Sequence, residues 1–388
     1  MGDKIIIFGA GEWGKNAYMY YKDKCEVLCF IDNSKELQGK YLIEEQKIYE
    51  PDILKAMDCS HIKVVIASKW NKEQMKEQLY REFGISTSII FEIRDSVEEY
   101  FFPESMGSSE DEIIIEYEGG LGNQMFQYAF AKCFMLQGYK VTGDVSSYHN
   151  IGRRKFILNQ VFPGISIFKC NNVVKENYKR SKEYLIEEVN MNSVTEYKAD
   201  MQVLKCKKGY FRGYWQSVKY VDLVKEELKK EFCFIHKKDM GLVKFQKKIQ
   251  MENSVSVHIR RSDYLSPKSI QVLGNICTID YYKKAISLMR EKVFNPIFYF
   301  FSDDIEWVKV NLPYMEAIYV TSDCFESYED WYDMYLISNC KHNIIANSTF
   351  GWWGAWLNSY EGKIIIAPEK WSNTCDFKDI YPSDFILI

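Results

Sequence analysis

The chain has 388 residues, 47% hydrophobic and 27% charged, with a formal net charge of −4. That length exceeds one ordinary core and predicts two or three domains, while the charge excludes a general nucleic-acid binder. Eleven cysteines with no Cys-x-x-Cys pair fit reduced thiols of a cytoplasmic protein better than a disulfide framework or zinc site.

Met1-Gly-Asp-Lys runs straight into a strand, without the pattern of a secretory signal. Lys4-Ile-Ile-Ile-Phe8 has the unbroken apolar run of a buried parallel strand. Gly9-Ala-Gly-Glu-Trp-Gly14 follows, then a helical pattern over 15–21. Residues 26–31 read as a second strand ending at Asp32, 63–67 as a third, and 72–83 as a helix. This alternation predicts a Rossmann-like α/β front domain over 1–104 with a parallel sheet. Glycines between a strand and a helix let the backbone approach a phosphate, and Asp32 stands where a ribose-binding acid would. Gly9, Gly11, Gly14 and Asp32 are therefore candidates for holding a nucleotide. The alternative is a tight turn with no ligand.

A polar linker over 105–111 ends the first pattern. Residues 112–117 begin a new strand, which leads into Gly119-Gly-Leu-Gly-Asn-Gln124 and an apolar helix to about residue 136. Residues 170–208 are Lys-, Glu- and Asn-rich and read as a long surface excursion. Buried strands follow at 255–259, 297–301, 343–346 and 363–367, with helical patterns between them. The second region thus spans 112–388, with halves of about 112–250 and 251–388. No uncharged apolar run reaches about 18 residues, so no transmembrane helix is expected and any membrane association would be peripheral.

His258-Ile-Arg-Arg-Ser-Asp-Tyr264 closes the strand at 255–259. Ligands of open α/β sheets bind beyond the carboxyl ends of strands, and guanidinium suits bidentate phosphate contact. One of Arg260 and Arg261 can hold a diphosphate while the other is braced by a carboxylate such as Asp263. A plain surface Arg-Arg pair is the alternative. Ser348 and Thr349 fall between a strand and a helix, where hydroxyls and free N–H groups suit phosphate oxygens. Trp352, Trp353 and Trp356 follow on that helix and are expected to be mostly core. Asp303-Asp304 invites a rival reading as a metal-binding acid pair, although the spacing lacks the usual Asp-x-Asp.

Four motifs occur in order: Gly119-Gly-Leu-Gly-Asn-Gln-Met-Phe-Gln-Tyr-Ala129, Gly213-Tyr-Trp-Gln-Ser217, His258 to Tyr264, and Asn347-Ser-Thr-Phe-Gly-Trp-Trp-Gly-Ala-Trp356. Together they resemble the α-1,2-fucosyltransferases of glycosyltransferase family 11, over about 112–388. The resemblance implies a GT-B architecture of two Rossmann-like halves. It also implies inverting, metal-independent transfer of L-fucose from GDP-β-L-fucose to O2 of a galactose in a glycan. By resemblance, Arg260 contacts the diphosphate and Arg261 supports the scaffold. His258 lies by the nucleotide, Ser348 and Thr349 by the phosphates, and Gly122 and Asn123 near the donor, with Asn123 at the fucose–acceptor junction. Asp303 or Asp304 is a partner for the guanine N–H edge. Asp263, Asp144 and His149 are alternative bases for the acceptor, and Trp215 and Gln216 are acceptor-side candidates. Two other readings stay open: a bifunctional protein whose front domain binds or modifies a sugar nucleotide, and a nucleotide-sensing scaffold with a degenerate transferase half.

Overall fold

In the first unit, Lys4–Phe8 lies at the centre of a sheet. The chain winds one way to Glu26–Ile31 and Gln46–Tyr49 and the other way to Ile62–Ile66 and Ile90–Glu92, all parallel. Tyr41–Ile43 adds an antiparallel edge. Ile5 and Ile7 pack into one core, Ile6 and Phe8 into another, so both faces of the central strand are covered. That is why its apolar run is unbroken. The helix Glu12–Tyr21 starts earlier than its pattern suggests, directly after Gly11. A Cβ on Gly14 would stand 2.1 Å from the Gly9 carbonyl oxygen, so loop and helix touch.

This is a computed structural model, and it describes residues 4–22, 25–43, 46–59, 62–68, 71–86, 89–92, 112–149, 154–170, 172–186, 196–235, 239–314 and 317–388. The expected linker at 105–111 lies outside the described residues. The chain divides into two compact units, Met1–Glu104 and Ser105–Ile388.

The second unit holds two parallel sheets. The first has the order Tyr184–Ile186, Gly209–Arg212, Ile113–Glu116, Val141–Asp144, Phe168–Lys169. The second has the order Ala317–Tyr319, Ile297–Ser302, Ser254–Ile259, His342–Ile344, Ile365–Ala367, Ile386–Leu387. In each, the first strand in sequence is interior and the winding reverses beside it. The fold class is therefore α/β with parallel sheets, as the strand–helix alternation predicts.

The halves meet through the helices Leu121–Met135 and Thr349–Trp356. The Phe126 ring lies 4.7 Å from Trp352 and 4.9 Å from Trp353. Both tryptophans are fully buried and Trp356 only partly, in line with the packing expected of them. All eleven cysteines are free. No helix among the described residues is long and apolar enough to cross a membrane.

The expectation of a surface excursion over 170–208 needs correction. It contains a helix, Asn172–Lys179, and an edge strand, Tyr184–Ile186; Glu196–Tyr197 pairs with Asp376–Phe377 near the end of the chain. A few apolar residues among the charges decide this: Val174, Tyr178 and Tyr184 pack with Ile114, Cys170 and Tyr210. Residues 187–195 lie outside the described set.

Candidate active site

A parallel sheet leaves a crevice where its winding reverses, and ligands settle beyond the strand ends there. In the second half, that point lies between Ser254–Ile259 and His342–Ile344, whose ends deliver Arg260 and Ser348. In the first half it lies between Ile113–Glu116 and Gly209–Arg212, whose ends deliver the Gly119 loop and Gln216. Both crevices open onto one cleft of about 1080 Å³. A second hollow, of about 820 Å³, has neither arginine nor glycine loop in its lining and is set aside on chemistry.

Two helix starts converge on the cleft. Gly120 precedes Leu121–Met135 and Ser348 precedes Thr349–Trp356, and neither provides a side-chain cap. Their first N–H groups are left without helical partners, and the positive dipole ends favour an anion. A Cβ on Gly122 would meet the Thr349 carbonyl carbon at 2.6 Å, so only glycine permits this approach. Asn123 Oδ1 accepts hydrogen bonds from the Thr349 hydroxyl (2.9 Å) and from Gln216 Nε2 (3.1 Å), tying the halves together at the cleft floor.

The arginines have distinct surroundings. Arg260 lines the cleft, with Nε on Asp263 Oδ1 at 2.8 Å and Nη1 3.2 Å from Asp303 Oδ2. Arg261 is not among the cleft residues. Its Nε donates to Asp304 Oδ2 at 3.1 Å and its guanidinium stacks 3.5 Å over Trp307. The brace on Arg261 is thus Asp304; Asp263 serves Arg260, contrary to expectation. Strand register explains the exchange, because Ile259 stands beside Ser302 and brings the two Arg-Arg and Asp-Asp pairs face to face. Arg261→Ala should lower stability by about 1–3 kcal/mol, since Asp304 loses its partner and Trp307 its cation. Chemical denaturation measures this; an unchanged midpoint would remove Arg261 from the scaffold.

Several expected site residues lie elsewhere. Asp304 caps the helix Ile305–Asn311 through the Trp307 N–H and is not brought to the cleft. Asp144 is buried, with Lys175 at 3.5 Å, Lys179 at 3.7 Å and the Tyr210 hydroxyl at 2.8 Å. Burial favours its neutral form, but hydrogen bonds from Ser146 and Tyr210 and the Lys175 charge outweigh it and hold the carboxyl below its ordinary range. It is a structural ion, not a base. Trp215 is buried, stacked 4.0 Å from Phe130, and belongs to the core. The His149 side chain lies outside the described part of the structure. Asp263 does line the cleft, yet Arg260 takes Oδ1 and Arg154 takes Oδ2 (2.7 Å). Burial would raise its affinity for a proton; the Arg260 hydrogen bond and charge, with Arg154, lower it instead, which makes it a weak base.

His258 lines the cleft and is buried against Phe350, with Nδ1 lacking a hydrogen-bond partner. Burial and then the Arg260 charge push its pKa down to about 3, so the ring is neutral. In the front unit, a hollow of about 330 Å³ includes Gly9, Gly11 and Asp32 in its lining. Both Asp32 oxygens already accept backbone N–H groups, from Ala10 (2.6 Å) and Ser34 (2.8 Å), so the acid closes the loop instead of standing free for a ribose.

Arg154 and Asp333 are cleft residues to which the sequence pattern assigns no role. Arg154 sits beside the Gly119 loop, in a stretch that reads only as a basic loop. Asp333 lies on the helix Trp331–Asn339 among buried Trp331, Tyr332, Met334, Leu336 and Ile337. A lone carboxylate in such an apolar run was the available signal. Its Oδ1 is buried without a hydrogen-bond partner. Burial pushes its pKa up to about 7, with Asp330 adding to the rise and a Tyr328 hydrogen bond opposing it.

Two parallel α/β halves turned onto one cleft are the GT-B architecture. The profile of glycosyl transferase family 11 matches residues 100–387, and the chain belongs to that family. It is 33% identical over 279 residues to an alpha-1,2-colitosyltransferase of Escherichia coli, covering 67% of this chain and 92% of that protein. It is 31% identical over 292 residues to the O-antigen biosynthesis glycosyltransferase WbnK of Escherichia coli, covering 65% and 92%. A shorter match, 30% over 103 residues, covers 26% of this chain and 28% of the human galactoside alpha-(1,2)-fucosyltransferase 1. Residues 1–91 match a separate profile, C2185-like, N-terminal.

Proposed function

We propose that this chain transfers L-fucose from GDP-β-L-fucose to a glycan hydroxyl, O2 of a terminal galactose, with inversion and without a metal ion. The observation that carries this reading is Arg260 standing beside two uncapped helix starts where both sheets reverse. The acceptor hydroxyl oxygen attacks the anomeric carbon from the face opposite the diphosphate, and its proton passes to water or to the departing diphosphate. The bond from that carbon to the phosphate oxygen breaks, and its electron pair leaves with the diphosphate. Arg260 and the first N–H groups of the Thr349 helix meet that growing charge with donors already oriented. Asn123, Gln216 and Thr349 form the polar floor on the acceptor side. Guanine offers two N–H donors on one edge, and the Asp333 carboxylate, whose Oδ1 is buried without a hydrogen-bond partner, is complementary to them. Asp303 and Asp304 are each engaged by an arginine, which favours their role as braces over metal ligation.

Family membership and the relatives' names support α-1,2 transfer. Fucose and galactose rest on the fucosyltransferase motifs and on the shorter match. The colitosyltransferase match favours a second donor, a GDP-linked colitose, which lacks one hydroxyl of fucose. The test is incubation of the full chain with each GDP-sugar and galactose-terminated acceptors, with and without EDTA, and determination of product linkage by NMR. An α-1,2 fucoside formed equally in EDTA is expected. Transfer of colitose alone would replace the donor; no transfer, hydrolysis or GDP binding would sink the proposal.

A further inference from the structure

Among the described residues, the arginine centre is poorer in positive charge than its sequence suggests. Arg260 and Arg261 face three carboxylates, Asp263, Asp303 and Asp304. A diphosphate leaving group calls for more positive charge than two arginines set against three carboxylates supply.

Arg154 meets that need. It projects from the first half and donates Nη2 to Asp263 Oδ2 in the second half at 2.7 Å. Its other terminal nitrogen, Nη1, lies 2.5 Å from where a Cβ on Gly120 would stand, so the guanidinium rests on the glycine loop. Its backbone is positioned from below. The fully buried Gln124, in the first turns of the Gly119 helix, donates to the carbonyls of Lys155 (3.0 Å) and Gly119 (3.2 Å). The same side chain accepts from the N–H groups of Ile157 and Leu158, both at 3.1 Å. One buried amide therefore fixes the glycine loop and the Arg154 segment to each other. A random surface arginine has no such foundation.

We infer that Arg154 is a second diphosphate-binding cation, held on Asp263 while the donor is absent and transferred to the sugar-bearing phosphate when it binds. This rests on the nucleoside-diphosphate reading above. Arg154 and Arg260 already grip the two oxygens of one small anion, the Asp263 carboxylate, so both lie within reach of a single phosphate. The Arg154–Asp263 pair is about half exposed, with side-chain exposures of 54% and 44%. Such a pair is weak in water, so releasing it costs little. No proton moves as Arg154 changes partner. Arg154 exchanges one hydrogen-bond acceptor for another, and the electron pair of the breaking sugar–oxygen bond goes to the phosphate that it holds. Because Arg154 comes from the first half and Asp333 from the second, the donor would bridge the two.

The test is calorimetric titration of the full chain with GDP, GMP and a panel of other nucleoside diphosphates, for wild type, Arg154→Ala, Arg154→Gln and Arg154→Lys. Thermal midpoints check the fold, and kcat with GDP-fucose is read alongside. The alanine and glutamine variants should bind GDP about tenfold to hundredfold more weakly and lose kcat, with GMP binding unchanged and lysine restoring part of both. Unchanged GDP affinity, or tighter binding, would make Arg154 only a latch between the halves and overturn the inference. Equal losses for GDP and GMP would overturn it too. If wild type prefers another nucleoside diphosphate and its affinity depends on Arg154 in the same way, the GDP-fucose reading fails and the Arg154 inference stands. If it binds none, both fail.

Discussion

Arg260→Ala is expected to lower kcat by about 10²–10³ or more while the chain still unfolds cooperatively. The loss has two parts. One is the guanidinium that meets the charge of the departing diphosphate. The other is the pair of carboxylates that it leaves behind, Asp263 and Asp303, which would then repel the donor. Arg260→Lys should recover only part of the rate, because an ammonium provides a point charge without the planar fork. The fold should survive, since the arginine side chain is 25% exposed and water can reach the carboxylates it releases. Near wild-type turnover in a folded Arg260→Ala protein would remove the residue from the reaction.

The positions of the elements were largely legible from local pattern, and the partners of charged residues were not. Lys4–Phe8, Glu26–Ile31 and Ile297–Ser302 announce themselves by apolar runs that a two-faced parallel sheet requires. The loops at Gly119 and Ser348 were visible as breaks between strand and helix, and winding order then brings both to one cleft. Charge partners depend on register between distant strands. Asp263, three residues from Arg260, reads by sequence as a brace for whichever arginine does not hold the diphosphate. The side chain that braces Arg261 comes from the adjacent strand, at Asp304. Asp144 ends a strand as a catalytic acid might, but Lys175 and Lys179 reach it from a helix hidden in a stretch that looked like surface. Trp215 is an acceptor-side candidate by sequence; its ring stacks on Phe130, a contact no linear pattern encodes.

Asp333 should make donor binding depend on pH, in a direction fixed by its surroundings. Burial, reinforced by Asp330 and opposed by the Tyr328 hydrogen bond, lifts its pKa to about 7. The empty folded protein therefore keeps a proton that the unfolded chain gives up at the ordinary carboxylate value. The stabilising contribution is fully present below that value and is lost as pH rises to about 7. With guanine bound there as proposed, the preference would reverse, because its two N–H donors need the ionised carboxylate. Affinity for GDP-fucose should thus rise with pH up to about 7, with about tenfold lost per pH unit below that. GDP-fucose is the ligand of choice because its doubly esterified diphosphate does not titrate in this range. Asp333→Asn should flatten the profile and weaken binding by about 2–4 kcal/mol, roughly thirtyfold to a thousandfold. The amide also presents an N–H where the carboxylate accepted. It is complementary to xanthine, which carries a carbonyl in place of guanine's amino group. Asp333→Asn should therefore bind xanthosine diphosphate better than wild type does. Retained GDP-fucose affinity with an unchanged pH slope in this variant would take Asp333 out of base recognition and leave its buried, partnerless oxygen to be explained by folding alone.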